Sequence, residues 1–341
     1  MAGSKDGALA LPLLRDDSRL PMAYAPRDMF ADPIAARSIL IVGAPRSGTT
    51  WLAKIFDSHP DVLYRHEPDE VVPPSGSIEQ DMARWVRQHD ARTAGKRPFF
   101  RKSWQAAPAR LLRTSLAYAG AAAERIGLPS LAIPDLGDLG SARVVIKSVR
   151  LSTGIGDFAR AFPSGRAVLI VRHPCGQVAS VMRGARDGRF ALAEPGTDMP
   201  FDEAAAVRFA ARHGVDEPAF QRLPDAAKYA WSWRAFNETA WAAVSGQSNA
   251  RMVVYEELCA RPAAEAQAIL AFAGLAWHGQ TEAFLDRSTS YDGPAGYYAV
   301  VRNSIAVAEG WRTAMAAEDQ EAVRAVVRGS PLIGYWQDLA G

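Results

Sequence analysis

A glycine-bearing segment early in the chain, residues 43–51 (GAPRSGTTW), combines paired threonines with a single cation, Arg46. Glycine lets backbone N–H groups approach a ligand closely, and hydroxyl and guanidinium groups donate hydrogen bonds to anionic oxygens. Gly43 and Gly48 keep the spacing of the nucleotide-binding pattern G-x-x-x-x-G-K-[ST], but Thr49 stands at its lysine position. The segment therefore predicts binding of a phosphate ester handled without a metal ion, and disfavours a nucleoside triphosphate with Mg²⁺.

The elements on either side of this segment must position it. The apolar run 39–42 (ILIV) is typical of a strand buried on both faces of a parallel sheet. A helical pattern begins at Thr49, so the positive end of that helix faces the same segment. Strand, loop and helix N-terminus together predict an anion site, and an ordinary βα turn is the alternative.

A second apolar run, 167–171, ends in Arg172, and a helical pattern follows from Pro174. Proline suits the first turn of a helix, where a backbone N–H is dispensable. Arg172 is therefore predicted to project from the carboxyl end of a strand, where open α/β sheets bind ligands. A solvated arginine is the alternative at this position.

Residues 45–51 match without a gap the loop P-[RK]-S-G-T-T of sulfotransferases that use 3′-phosphoadenosine 5′-phosphosulfate (PAPS), and the chain resembles that family. The resemblance implies that the loop holds the 5′-phosphate and the sulfuryl group. The residues concerned are Arg46, Ser47, Gly48, Thr49 and Thr50. It also implies that Trp51 packs beside the adenine, a core position on the first helix turn being the alternative.

Further segments resemble the same family. A strand-end arginine with a helix serine eight residues later is its 3′-phosphate motif, which implies that Arg172 and Ser180 bind that group. Tyr255 begins a Y-E-E-L segment and is implied to contact the adenine, or else packs in the core. Arg302 precedes a G-W-R segment (310–312) and is implied to reach the 3′-phosphate, although the usual R-K-G is missing here.

Transfer to a hydroxyl requires a base for its proton and a positive group for the leaving oxygen. Glu67 follows Arg46 by 21 residues, the separation found in protein-tyrosine sulfotransferases, and this resemblance implies that Glu67 is the base. A surface carboxylate is the alternative. Lys147 closes the strand pattern 143–147 and is implied to stabilise the bridging oxygen, and Arg46 is implied to assist.

Two histidines compete with Glu67 for the role of base. Cytosolic sulfotransferases use a histidine two residues after a strand-end lysine, but Arg150 stands at that position here. His59 is predicted to cap or pack at the end of the first helix. His66 could face the substrate, and nothing in the spacing favours it over Glu67.

These motifs predict a three-layer α/β fold, P-loop-like, with a central parallel sheet flanked by helices. Its strands are expected near 38–43, 61–65, 143–147, 166–172 and 250–255. Residues 1–36 are expected to form an N-terminal arm, and 37–341 a single sulfotransferase domain.

Two insertions, at about 68–140 and 185–225, are expected to shape the acceptor pocket. The second is expected to be a lid or loop followed by short helices. The apolar helix pattern 108–125 is predicted to be a core helix, with a shelter for a lipid-like acceptor or a membrane-surface helix as alternatives.

Composition narrows the function classes. The net charge of +2 gives no global electrostatic case for nucleic acid or an acidic membrane. The two cysteines, Cys175 and Cys259, indicate neither a metal site nor a disulfide framework, and both are expected to be buried. No apolar run approaches the ~20 residues of a transmembrane helix, and the N-terminus is a poor signal peptide, so a cytoplasmic location is expected. Arginine- and alanine-rich usage favours a bacterial source.

The predicted function is transfer of a sulfuryl group from PAPS to a hydroxyl of a carbohydrate, lipid, phenol or peptide. The products are a sulfate ester and adenosine 3′,5′-bisphosphate, and no metal is expected. A P-loop-type kinase of a small molecule and a catalytically silent nucleotide-binding protein are the alternatives. Acceptor choice depends on the insertions, which these motifs do not cover.

Overall fold

Five parallel strands form the centre of the fold. The computed structural model describes residues 32–88, 98–125, 134–188, 202–290 and 304–339. The strands are β1 (Ile39–Val42), β2 (Val62–His66), β3 (Arg143–Ser148), β4 (Arg166–Val171) and β5 (Ala250–Val254). They pair in the order β2-β3-β1-β4-β5, and all four pairings are parallel. Each strand lies where an apolar run predicts one, and the central parallel sheet is confirmed.

The helices of the described residues flank this sheet. Before β3 they are α1 (Pro33–Ala36), α2 (Thr49–Ser58), α3 (Pro68–Val71), α4 (Ile78–Trp85) and α5 (Ala107–Arg125). Between β3 and β5 they are α6 (Gly154–Ala161), α7 (Pro174–Arg186), α8 (Glu203–Ala211), α9 (Glu217–Gln221) and α10 (Asp225–Val244). After β5 come α11 (Tyr255–Ala260), α12 (Pro262–Phe272), α13 (Gly279–Thr289), α14 (Ser304–Glu309), α15 (Trp311–Ala314) and α16 (Ala317–Val327). A short 3-10 helix, Ile333–Tyr335, follows α16.

The two faces of the sheet pack into separate hydrophobic clusters. Because side chains alternate along a strand, Leu40 and Val42 of β1 face one cluster, which includes residues of α4, α6, α7, α10 and α16. Ile39 and Ile41 face the other cluster, which includes residues of α2, α12 and α13. Both faces are covered, which confirms the three-layer α/β architecture and explains why the strands are continuously apolar.

The carboxyl ends of the parallel strands meet at one edge of the sheet. Lys147 of β3 pairs with Ile41 of β1 on one side and with His66 of β2 on the other. The glycine-bearing loop follows β1, Glu67 follows β2, and Arg172 follows β4. Tyr255 follows β5 at the same edge. The topology thus gathers residues that are far apart in the sequence.

The insertions contain helices, but α5 differs from its prediction. The 108–125 pattern does form a helix, yet the side chains of Leu111 and Leu112 are 66% and 52% exposed, so α5 is not a core helix. Apolar composition predicted the helix without showing how much of its surface the rest of the chain covers. In the second insertion, α8 and α9 pack on α10 through Phe209, Phe220 and Trp231.

The ends of the chain are described only in part. Residues 1–31 of the predicted N-terminal arm lie outside the described residues, and residues 33–36 form α1 with a buried Ala35. The division into an arm and a single domain stays a prediction. None of the described helices is both long enough and apolar enough to span a membrane. Cys175 and Cys259 are buried, as predicted, and neither is joined in a disulfide among the described residues.

Gly43, where β1 enters the loop, allows a close approach of two strands. A Cβ atom here would lie 2.6 Å from Ile170 Cγ2 and 2.7 Å from the Ile170 carbonyl oxygen. Since backbone cannot withdraw as a flexible side chain can, we expect Gly43→Ala to lower the free energy of unfolding by about 2 kcal/mol. Chemical denaturation measures this loss. Gly279→Ala, with open space around its Cβ, is the matched control, and an equal effect in both variants would contradict the packing argument.

Candidate active site

The loop after β1 leaves the N-terminus of α2 open to an anion. Gly48 is the N-cap of α2 with φ 96°, and no side chain of the described residues caps the helix. The first N–H groups of a helix have no partner within it and carry a partial positive charge. A Cβ at Gly48 would lie 2.4 Å from Cδ2 of Tyr255. Glycine is therefore required both by the left-handed backbone and by the tyrosine ring packed against the loop.

Arg46 joins the loop to α7. Its Nε donates a hydrogen bond to Ser180 Oγ at 3.2 Å, across 134 positions of sequence. Its φ of 72° is in the left-handed region, which non-glycine residues rarely adopt. Such strain is held in place by surrounding structure and is typical of functional sites. The two segments that the sequence predicts to bind phosphate thus lie side by side.

Arg172 lies between the loop and the C-terminal helices. Its Nη1 donates to the Arg46 carbonyl oxygen at 3.1 Å and its Nη2 to the Val307 carbonyl oxygen at 2.9 Å. The guanidinium carbon lies 4.8 Å from the centroid of the Tyr255 ring, which is a cation–π distance. Arg172 Nε is buried, and so is Ser47 Oγ; neither has a hydrogen-bond partner among the described residues.

Glu67 and a buried Lys147 form an ion pair at the ends of β2 and β3. Lys147 Nζ contacts Glu67 Oε1, and the two side chains are 3% and 13% exposed. The Glu67 backbone N–H also donates to the Lys147 carbonyl oxygen at 2.9 Å. Glu67 has φ 45°, a second non-glycine residue in the left-handed region. The sheet register therefore places the predicted base directly beside the predicted stabiliser of the leaving oxygen.

The charge state of Lys147 depends on its surroundings. Burial lowers the pKa of Lys147 to about 7, and the positive charges of Arg46 and Arg150 add to this effect. The Glu67 carboxylate opposes it, because an adjacent negative charge favours the ammonium form. Lys147 thus lies close enough to Arg46 of the loop to respond to its charge, and an anion bound at the loop would oppose the lowering of the Lys147 pKa.

The histidines lie in different surroundings. His66 Nδ1 lies 2.7 Å from the Tyr64 hydroxyl oxygen. Burial raises the pKa of Tyr64 well above its usual value, so the phenol stays protonated and shares a hydrogen bond with Nδ1. His59 is the C-cap of α2, is 3% exposed and lies 2.8 Å from the Ala276 carbonyl oxygen through Nε2. The predicted packing role of His59 is confirmed.

The remaining predicted site residues are placed as follows. Thr49 is buried and Thr50 half-buried on the first turn of α2. Trp51 is 8% exposed, donates from its indole Nε1 to Ser288 Oγ at 3.1 Å, and meets the Tyr255 ring edge-on. Arg302 lies outside the described residues, so its predicted contact with the 3′-phosphate stays a prediction.

Two residues beside the ion pair were not singled out from the sequence. Asp69 accepts a hydrogen bond from Ser148 Oγ at 2.7 Å, and this contact ties α3 to the end of β3. Burial raises the pKa of Asp69 to about 6, against the opposing effects of the Ser148 bond and the Arg150 charge. The available signal was position: Asp69 follows Glu67, and Ser148 follows Lys147, at the ligand-facing edge.

The parallel sheet, the glycine loop at a helix N-terminus and the surrounding cations define a P-loop-like anion-binding protein. A model of the sulfotransferase family matches residues 38–279, which is more than two thirds of the chain. The chain belongs to the sulfotransferase family. No curated protein sequence matches it significantly.

Solved structures similar to the chain include other sulfotransferases. The sulfotransferase domain from the curacin biosynthetic pathway has 14% identity and a TM-score of 0.44, over 85% of this chain and 96% of that domain. A sulfotransferase from Alicyclobacillus acidocaldarius has 17% identity and a TM-score of 0.35, over 85% and 95%. A mouse sulfotransferase complexed with PAP has 18% identity and a TM-score of 0.38, over 86% and 85%. These TM-scores are low, so the family assignment rests on the family model.

Removing the carboxylate of Glu67 should destabilise the fold in a pH-dependent way. Unfolded lysine has a pKa of about 10.4, above the value of about 7 in the folded chain. The unfolded state binds more protons between these values, so stability rises with pH there. Glu67→Gln lowers the pKa of Lys147 further and enlarges the penalty at low pH. We expect a loss of about 3 kcal/mol near pH 6 and a smaller loss near pH 9.

Denaturant unfolding at the two pH values measures this difference. The matched control is Glu70→Gln, because Glu70 pairs with Arg150 at 3.2 Å in a partly exposed position. Partly exposed pairs contribute about 1 kcal/mol or less. A loss for Glu67→Gln that grows with pH would show that Lys147 does not carry the charge assigned to it.

Proposed function

We propose that the chain transfers a sulfuryl group from PAPS to a hydroxyl of an acceptor. The observation that carries this proposal is the hydrogen bond between Arg46 of the loop and Ser180 of α7, with Arg172 beside both. Arg46 in the loop before α2 and Arg172 after β4 provide two cationic groups. Such a pair suits a nucleotide that carries phosphates at two separate positions. Such a ligand is a 3′,5′-substituted adenosine, the donor that the family resemblance implies.

The residues present fit the donor. The N-terminus of α2 has no side-chain cap, so its N–H groups are available to the 5′-phosphosulfate. Ser47 Oγ and Arg172 Nε are buried donors with no partner among the described residues, and buried donors are normally satisfied. We assign Arg46, Ser47, Gly48, Thr49 and Thr50 to the 5′ side. Arg172 and Ser180 belong to the 3′-phosphate, and Trp51 and Tyr255 to the adenine.

Glu67 and Lys147 supply the two catalytic groups. In the transfer, the acceptor oxygen forms a bond to sulfur while the bond between sulfur and the bridging oxygen breaks. The acceptor proton passes to the Glu67 carboxylate. The charge that develops on the leaving phosphate oxygen is stabilised by Lys147 and Arg46, which lie close enough for Arg46 to lower the pKa of Lys147. Fixed cations need little reorganisation when this charge develops.

The geometry favours Glu67 over His66 as the base. Nδ1 of His66 is already engaged in a hydrogen bond with the Tyr64 hydroxyl. The Glu67 carboxylate is partly exposed and lies against Lys147, so it can meet an acceptor that enters beside the bridging oxygen.

Nucleotide binding tests the donor assignment. We expect adenosine 3′,5′-bisphosphate to bind tightly and ATP with Mg²⁺ to bind negligibly, because the loop has Thr49 in place of the Walker lysine. Calorimetry with the full chain measures both affinities, and Arg172→Met should reduce the first about tenfold or more. The reverse order of affinities would favour the kinase alternative.

Turnover tests the catalytic assignment. We expect Glu67→Gln to reduce sulfuryl transfer at least 10²-fold, while affinity for adenosine 3′,5′-bisphosphate changes little. Radiolabelled PAPS offered to glycans, phenols, lipids and peptides first identifies an acceptor, and the same assay then compares variants. Glu282→Gln, an exposed carboxylate on α13, is the control. Full activity in Glu67→Gln together with loss in His66→Gln would move the base to His66.

A further inference from the structure

The peptide unit between Arg172 and His173 is held by side chains on both sides. Its carbonyl oxygen, from Arg172, accepts a hydrogen bond from Trp233 Nε1 at 2.9 Å. Its N–H, from His173, donates to Glu256 Oε1 at 3.0 Å. β4 ends one residue earlier and α7 begins one residue later, so this unit belongs to neither element. Two side chains provide the hydrogen bonds that a strand or helix would otherwise provide.

Glu256 is itself held by the segment 333–339, which follows α16. Its second carboxylate oxygen, Oε2, accepts from Trp336 Nε1 at 3.0 Å. Burial raises the pKa of Glu256, and the Trp336 bond and the positive charge of Arg172 oppose that rise. Both oxygens of the carboxylate are thus engaged by N–H donors. A buried carboxylate that accepts two directed bonds has little freedom to rotate.

The same joint is packed from a third direction. The His173 ring stacks on Trp311 with 4.4 Å between centroids, and its Nδ1 accepts from the Cys175 N–H at 3.2 Å. His173 Nε2 lies 3.4 Å from Asp338 Oδ1. The backbone that carries Arg172 is therefore anchored to α10, to α11 and to the segment 333–339 after α16.

We infer that Glu256 and Trp233 are positioning residues that aim Arg172, with Trp336 supporting Glu256. Holding both polar groups of this peptide plane restricts the backbone of Arg172 at the point where its side chain begins, while the guanidinium end is held separately. Two of its nitrogens are already committed to the Arg46 and Val307 carbonyls. We call the Trp233 and Glu256 hydrogen bonds to this peptide unit the clamp. The inference rests on the proposed function, since the clamp sets the preference of the site for a nucleotide with a 3′-phosphate.

Glu256→Gln tests the clamp with little change of shape. A glutamine can accept from one of the two donors, but its NH₂ group then faces the N–H of His173 or of Trp336. We expect affinity for adenosine 3′,5′-bisphosphate to fall roughly tenfold. This is the loss typical of a hydrogen bond to a charged group, here the bond of Arg172 to the 3′-phosphate. Affinity for adenosine 5′-monophosphate, which lacks the 3′-phosphate, should change less than about twofold. Calorimetry on the full chain gives both values.

Control variants distinguish a change in the position of Arg172 from a general loss of structure. Glu257→Gln changes the neighbouring carboxylate, which is 53% exposed, and should leave both affinities unchanged. Trp233→Phe and Trp336→Phe each keep an aromatic ring and remove one N–H donor, so both should reduce the preference for the 3′-phosphate. They give a second reading of the clamp if Glu256→Gln does not fold.

The possible outcomes distinguish failure of the clamp from failure of the proposed function. An unchanged ratio of the two affinities in the folded variants would overturn the clamp. An equal loss for both nucleotides would also overturn it, because it would assign these residues a general structural role. If the unaltered chain does not prefer the bisphosphate over the monophosphate, the proposed function fails instead.

Discussion

Parallel pairing of the five strands is the constraint on which the site depends. Because every strand runs in one direction, each carboxyl end opens onto the same edge. For this reason four features become neighbours: the loop after β1, Glu67 after β2, Lys147 within β3 and Arg172 after β4. A change of register by one residue would turn Lys147 to the opposite face of the sheet, so the buried apolar faces also hold the charges in place.

The site concentrates positive charge that the protein balances only in part. Glu67 faces Lys147, while Arg172 donates its hydrogen bonds to neutral carbonyl oxygens and faces an aromatic ring, with the Glu256 carboxylate near enough to interact with its charge. Burying cations beside one another lowers stability, and Arg46 and Glu67 add left-handed backbone strain. Local instability of this kind persists where the surrounding structure fixes it. Here the hydrophobic clusters on both faces of the sheet provide that support.

The sequence predicted the framework better than the contacts within it. Apolar runs located all five strands, and glycine spacing located the loop, because both depend on neighbours in the sequence. The contact of Arg46 with Ser180 and the clamp of Glu256 on the His173 N–H link residues 134 and 83 positions apart, and no local pattern encodes them. The exposure of Leu111 on α5 was missed for the same reason, since it depends on which surfaces the rest of the chain covers.

An anion bound in the loop would raise the pKa of Lys147. In the site as described, burial and the charges of Arg46 and Arg150 lower the pKa of Lys147 to about 7. A phosphosulfate beside these groups adds negative charge, which favours the ammonium form. Donor binding and protonation of Lys147 are therefore linked, and each promotes the other. If Lys147 serves the leaving oxygen as proposed, donor binding therefore favours its charged form at the step that needs a positive group there.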